Sequence, residues 1–146
     1  MQFDPQMYAG PIVVTVVYTL VYYATQIRGM RTKSRLVREY QSRGEKFDRY
    51  FGQDREMLAS DRAQLNMLEH MPVFLALLWL NAAFVGPLGA TVAGGIYVAA
   101  RIAYPILMGQ RMGRGIRVSL LAATVPGYLV IGYFSVRLIV AAITGQ

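Results

Sequence analysis

Arg62, Asn66 and Glu69 stand at i, i+4 and i+7 at the start of RAQLNMLEHMPVFLALLWLNAAF, the stretch from Arg62 to Phe84. On a helix this spacing puts all three on one face. Tyr97, Arg101 and Tyr104 repeat the spacing further along the chain. Two such walls support two chemistries. In one, Glu69 and Arg101 neutralise each other and lock two helices, with Asn66 bridging by hydrogen bonds. In the other, Arg62, Arg101, Arg114 and Arg117 surround an anionic ligand.

The elements that carry these residues are apolar. The chain has 146 residues, 55% of them hydrophobic, and a positive mean hydropathy, which is the balance of a small integral membrane protein. Pro5 to Ile27 holds no charge and is long enough to cross about 30 Å of hydrocarbon. The opening MQFDPQ lacks the basic start of a signal peptide, so this first helix is expected to remain. From His70 to Ala100 the 31 residues carry no charge; as one helix they would measure about 46 Å, too long for one crossing. The Gly-Pro-bearing VGPLG at Val85 to Gly89 is the expected break. The spacing predicts helices over about 5–35, 62–85, 87–110 and 117–143 of a single domain, 1–146, with Pro72, Pro105 and Pro126 inside them. The expected fold class is all-α, a membrane four-helix bundle. Glu69 would then lie roughly 10 Å deep and Arg101 roughly 10 to 15 Å deep, where a lone charge costs several kcal/mol and must face protein or a watery cavity.

Ten Lys or Arg lie from Arg28 to Arg62, three more at Arg111, Arg114 and Arg117, and none in the turn near Pro87. By the positive-inside rule both basic loops are cytoplasmic and both termini extracytoplasmic. This accounts for the net charge of +7 without a nucleic-acid partner, and six acidic residues within the first loop further oppose a polyanion surface. No cysteine is present, which excludes disulfides, a thiolate nucleophile and a Cys metal site. His70, the single histidine, makes no zinc site by itself, and no metal is expected. Arg137 lies some 30 Å along the last helix from Arg117 and is expected to snorkel to the outer interface. Tyr18, Tyr22 and Tyr23 are expected to pack or to face the lipid belt, and Gly94 and Gly95 to admit close helix packing.

The series Arg62-x-x-x-Asn66-x-x-Glu69-x-x-Pro72, together with Gly94-x-x-Tyr97-x-x-x-Arg101 in GGIYVAARIAYPILMGQRMGRGIR, resembles the MAPEG family, the membrane-associated proteins in eicosanoid and glutathione metabolism. The resemblance covers roughly Asp61 to Pro126. It implies a homotrimer of four-helix subunits with a glutathione site between neighbours at the cytoplasmic side. It also implies why a polar series enters the bilayer: arginines would clamp the two carboxylates of glutathione and Glu69 would take its ammonium. By this resemblance Arg62, Gln64, Asn66, Glu69, Arg101 and Tyr104 line the site, with Arg31 from helix one and Arg114 near helix four beside them.

The family's catalytic arginine falls on Arg117, against the glutathione sulfur. Lowering a thiol of pKa about 8.5 by two units requires about 2.7 kcal/mol, which one cation about 4 Å away in a partly screened site can supply. Arg114 is the alternative activator. Two positions depart from the family pattern: Met108 replaces a tyrosine one turn beyond Tyr104, and His70, counted in the site, follows Glu69 where tyrosine is frequent. The expected activity is a detoxifying glutathione transferase acting on lipophilic electrophiles from the membrane lipids, with peroxidase activity toward lipid hydroperoxides as an extension. The rivals are a non-catalytic lipid-presenting scaffold and a small transporter. The bacterial inner membrane and the endoplasmic reticulum both suit such a chain.

Overall fold

The computed structural model describes residues 5–113 and 118–145. A short 3-10 turn, Pro5–Tyr8, leads into α1 (Ala9–Ser42), followed by α2 (Arg55–Phe84), α3 (Pro87–Met108) and α4 (Val118–Thr144), with no strand among the described residues. All four helices are long and apolar enough to cross a membrane, which fits an integral membrane protein built as an all-helical bundle. We call the end holding the α1–α2 loop and the α3–α4 connection the loop end, and the opposite end, at Gly86, the turn end.

α1 has 34 residues and α2 has 30, so at about 1.5 Å per residue both exceed about 30 Å of hydrocarbon. The surplus is the charged part at the loop end. α1 continues past position 35 because its tail, RGMRTKSRLVREYQS, holds only one glycine as a breaker. α2 begins at Arg55 rather than near Arg62 because Asp54 caps it, its carboxylate accepting hydrogen bonds from the amides of Glu56 (2.9 Å) and Met57 (3.0 Å). α3 ends at Met108, and Gly109 after it takes φ 76°, a left-handed conformation that suits glycine and stops the helix. At the turn end Gly86 has φ 153° and Pro87 occupies the first helical position, where its missing N–H costs nothing.

α3 packs against each of the other three helices. Lipid tails are as apolar as leucine, so close van der Waals fit has to hold such a bundle. Phe74 of α2 and Tyr97 of α3 stack with ring centroids 3.9 Å apart. Tyr18 of α1 tilts against Phe74 at 5.1 Å and donates its hydroxyl to the Met67 carbonyl at 2.8 Å. Tyr18 is thus a core residue, whereas Tyr23 is exposed. Gly94 does admit close packing, since a methyl group there would lie 2.9 Å from both Leu78 Cδ1 and Val14 Cγ1; Gly95 faces open space. Several threonine and serine hydroxyls along the spans are satisfied within their own helices. Thr15, Thr91, Thr124 and Ser135 each donate to the carbonyl four residues earlier, so these four hydroxyls need no water in the hydrocarbon.

Candidate functional site

Arg101 is fully buried on α3. Its Nη1 donates to Asn66 Oδ1 at 2.5 Å, and its guanidinium lies 4.7 Å from the centre of the Tyr97 ring. Gly127 of α4 makes room for it, because a methyl group there would fall 2.9 Å from Arg101 Nη2. Nε and Nη2 of Arg101, and the Tyr97 hydroxyl, have no hydrogen-bond partner among the described residues. A buried cation with two unused donors has strong capacity for an anion or a polarised oxygen.

Glu69 does not pair with Arg101 among the described residues; the ion pairs there lie elsewhere. Helix geometry explains the difference. At 3.6 residues per turn, Arg62 and Glu69 point within about 20° of each other, while Asn66 is turned some 40 to 60° away. That rotation brings Asn66 to Arg101 and leaves Arg62 and Glu69 exposed. The ion-pair lock is therefore replaced by an Asn66–Arg101 hydrogen bond.

The other expected site residues are dispersed. Tyr104 is buried in a small cluster with Ala59, Met108 and Ala123. His70 meets Tyr128 of α4 edge-on at 5.4 Å. Gln64 lines a recess of about 370 Å³ with Lys33, Arg49 and Asp61. Arg114 and Arg117 lie outside the described residues.

Arg31 opens onto a larger cleft, about 700 Å³, between α1, the start of α2 and Gln110. Its α1 wall carries Arg28, Arg31, Arg35 and Arg38, spaced i, i+3, i+7 and i+10 and so aligned on one face. Arg28 donates to the carbonyls of Pro105 and Gly109 at 3.3 Å each, tying α1 to the end of α3. Arg35 bonds Glu39 (2.7 Å) and Glu56, and Glu56 also accepts from Arg111 at 2.8 Å. Arg31 and Arg38 make no ion pair in the described structure, and the buried Ser60 hydroxyl lining the cleft has no partner. A wall of guanidiniums whose one carboxylate, Glu56, is already engaged twice suits a multivalent anion. Of these four only Arg31 is expected at the site from the family resemblance, and Arg28, Arg35 and Arg38 count only toward topology, although the 3-4-3 spacing is a visible sign of one helix face; Glu56 and Ser60 carry no such sign.

The loop between α1 and α2 is fastened over this end. Arg49 clamps Asp61 through two hydrogen bonds of 2.7 and 2.9 Å. Asp48 Oδ1 accepts from the amides of Phe51 (2.9 Å) and Tyr50 (3.0 Å), and these amides, Phe51 first, hold its carboxyl below the usual carboxylate range. Beyond the loop, Met112 N–H donates to the Arg55 carbonyl (2.9 Å) and Arg55 Nε to the Met112 carbonyl (2.7 Å), pinning the α3–α4 connection to α2.

Compared with known proteins, residues 9–140 match the model of the MAPEG family. A search among curated proteins gave no significant match.

Proposed function

The chain belongs to the MAPEG family, and from that premise we propose that it is a membrane-bound glutathione transferase. The observation that carries this reading is the concentration of unused cationic donors at the loop end: Arg31 and Arg38 in the α1 cleft, and Nε and Nη2 of buried Arg101. Glutathione is an anion with two carboxylates, and such donors match it. Arg62 and Glu69 project from an exposed face of α2, as residues do when they meet a ligand at a second copy of the chain. The homotrimer with its site between neighbours supplies that copy.

In this reading Arg62, Asn66 and Arg101 hold the carboxylates, Glu69 takes the ammonium, and Gln64, Tyr104, His70, Arg114 and Arg31 complete the surroundings. Arg117 stabilises the sulfur anion. The thiol proton leaves to solvent, and a sulfur lone pair forms the new bond to the electrophile as its leaving group departs. Catalysis comes from proximity and from electrostatic stabilisation of sulfur. Apolar electrophiles, lipid hydroperoxides included, reach the site from the bilayer.

One observation favours the lipid-presenting scaffold. Met108, where the family pattern has tyrosine, is buried against Tyr104 and Ala123, so it offers no hydroxyl to a thiol. Stopped-flow ultraviolet spectra of the purified protein mixed with glutathione near neutral pH separate the two readings. A transferase develops thiolate absorbance on binding. Measurable glutathione binding without that absorbance would favour the scaffold. Loss of the signal in Arg114→Ala but not in Arg117→Ala would move the activating role to Arg114.

A further inference from the structure

Arg137 is absorbed by none of the chemistry above. It is the single charged side chain in the turn-end half of the bundle among the described residues: α1 carries none before Arg28, α2 none after Glu69, α3 none before Arg101, and α4 no other. It lines a recess of about 200 Å³ together with Asn81, Tyr133 and the first turn of α3. Asn81 is already committed, its amide donating to the carbonyls of Leu77 (2.9 Å) and Phe134 (3.1 Å). Arg137 therefore supplies the charge of the recess.

A second cavity adjoins the first and shares Leu88, Gly89 and Tyr133 with it. It is a groove of about 620 Å³ between α3 and α4, with Val92, Ile96, Pro126 and Leu129 among its walls. Apart from the Tyr133 hydroxyl its side chains are apolar. Gly89 lines both, and a methyl there would make only ordinary van der Waals contact with that hydroxyl, at 3.6 Å.

We propose that the recess and the groove form one site for a glycerophospholipid of net negative charge, drawn from the leaflet at the turn end. Its phosphate would rest on Arg137 and one acyl chain would lie along the groove. The dimensions fit: positions 126 and 137 are about 16 Å apart along α4, close to half of a hydrocarbon core of about 30 Å. The charge fits too. A guanidinium at the interface with no carboxylate near it among the described residues attracts an anionic headgroup and discriminates against a zwitterionic one. The low polarity of the groove then retains a chain that a free phosphate lacks. This site is independent of the thiol chemistry at the loop end.

The test is reconstitution in vesicles of equal phosphatidylglycerol and phosphatidylcholine, extraction into mild detergent, and native mass spectrometry of the retained lipid. Wild type should retain phosphatidylglycerol in preference. Arg137→Gln should lose that preference by about tenfold, as expected for a charge-assisted contact worth about 1.4 kcal/mol. Val92→Trp, at a position already 57% exposed, should fill the groove and reduce retention of both lipids. A thermal melt of each variant checks that the bundle is intact. Unchanged retention in Arg137→Gln would overturn the phosphate assignment, and unchanged retention in Val92→Trp would overturn the acyl groove. A disulfide between copies of Val92→Cys would place a second chain on this face and overturn the proposal.

Discussion

At the loop end, four guanidiniums share one face of α1, where Arg35 pairs with Glu39 and Glu56, while at the turn end Arg137 stands with no carboxylate near it among the described residues. Between them, Arg101 is sealed at membrane depth with one hydrogen bond to Asn66 and two unused donors. One side-chain type thus occurs in three electrostatic settings. Exposed and paired, it fastens helices and contributes little by itself. Buried and half-satisfied, it is costly unless a ligand completes it. Alone at an interface beside an apolar groove, it selects charge. Under the proposed transferase reading, chemistry on an anionic thiol would draw on the first two settings, whose arginines lie on α1 and α3.

The largest expected effect tests that division directly. Arg117→Ala should lower the conjugation rate toward a generic aromatic electrophile by about a hundredfold if two pKa units of thiol stabilisation are lost. The more basic thiolate is intrinsically more nucleophilic, which tempers the loss. Arg137→Ala should leave the rate unchanged. Equal losses in the two variants would dissolve the distinction between the ends.

The contrast was only partly legible in the sequence. Uncharged tracts and the VGPLG break reveal the four spans, because length and polarity alone decide whether a helix suits a bilayer. The two polar series mark Asn66 as a bridge between helices and Arg101 as a buried cation, but with Glu69 as its expected partner, where Asn66 holds it instead. What spacing could not convey is rotation: Asn66 turns toward α3 while Arg62 and Glu69 turn outward, a difference of some tens of degrees on one face. Nor could local pattern reveal Gly127, whose importance lies in a guanidinium 26 positions away in the chain.

The second prediction concerns that glycine. Gly127→Val would drive a branched side chain into Arg101 Nη2 and Tyr97, which a methyl would already approach at 2.9 and 3.6 Å. Overpacking of this kind costs about 1 to 3 kcal/mol, so the melting temperature in detergent should fall by several degrees. Gly95→Ala, which faces open space in the neighbouring helix, should leave it equal or raised, since alanine is the better helix former. A fall of equal size in both would show that glycine content, rather than room for Arg101, sets stability.

A third, smaller effect separates the two helix starts. Asp54 caps α2 through its side chain, whereas Gly86 before α3 makes no side-chain cap. Asp54→Ala should cost about 1 kcal/mol, and Asp54→Asn should restore most of it. Thermal melts of the two variants check this. Failure of asparagine to rescue would assign the loss to the Tyr40 hydroxyl, which donates to the other Asp54 oxygen at 3.1 Å.

The smallest effect belongs to the loop itself and is read by pH. The amides of Phe51 and Tyr50 stabilise ionised Asp48, so its folded pKa lies below the unfolded value, which is near 3.9 for a free aspartate. A depressed carboxyl contributes stability that is fully present above the unfolded value and is lost as pH falls through the folded one. Hydrogen exchange at the Tyr50 and Phe51 amides, corrected for intrinsic rates, should therefore keep its protection down to about pH 4 and lose it below. Asp48→Asn keeps an acceptor oxygen but has no proton to gain, so its weaker protection should not change across that range. The turn end, where no described residue is acidic, should show no such transition. An acid-dependent loss in Asp48→Asn matching wild type would overturn the assignment of the transition to Asp48.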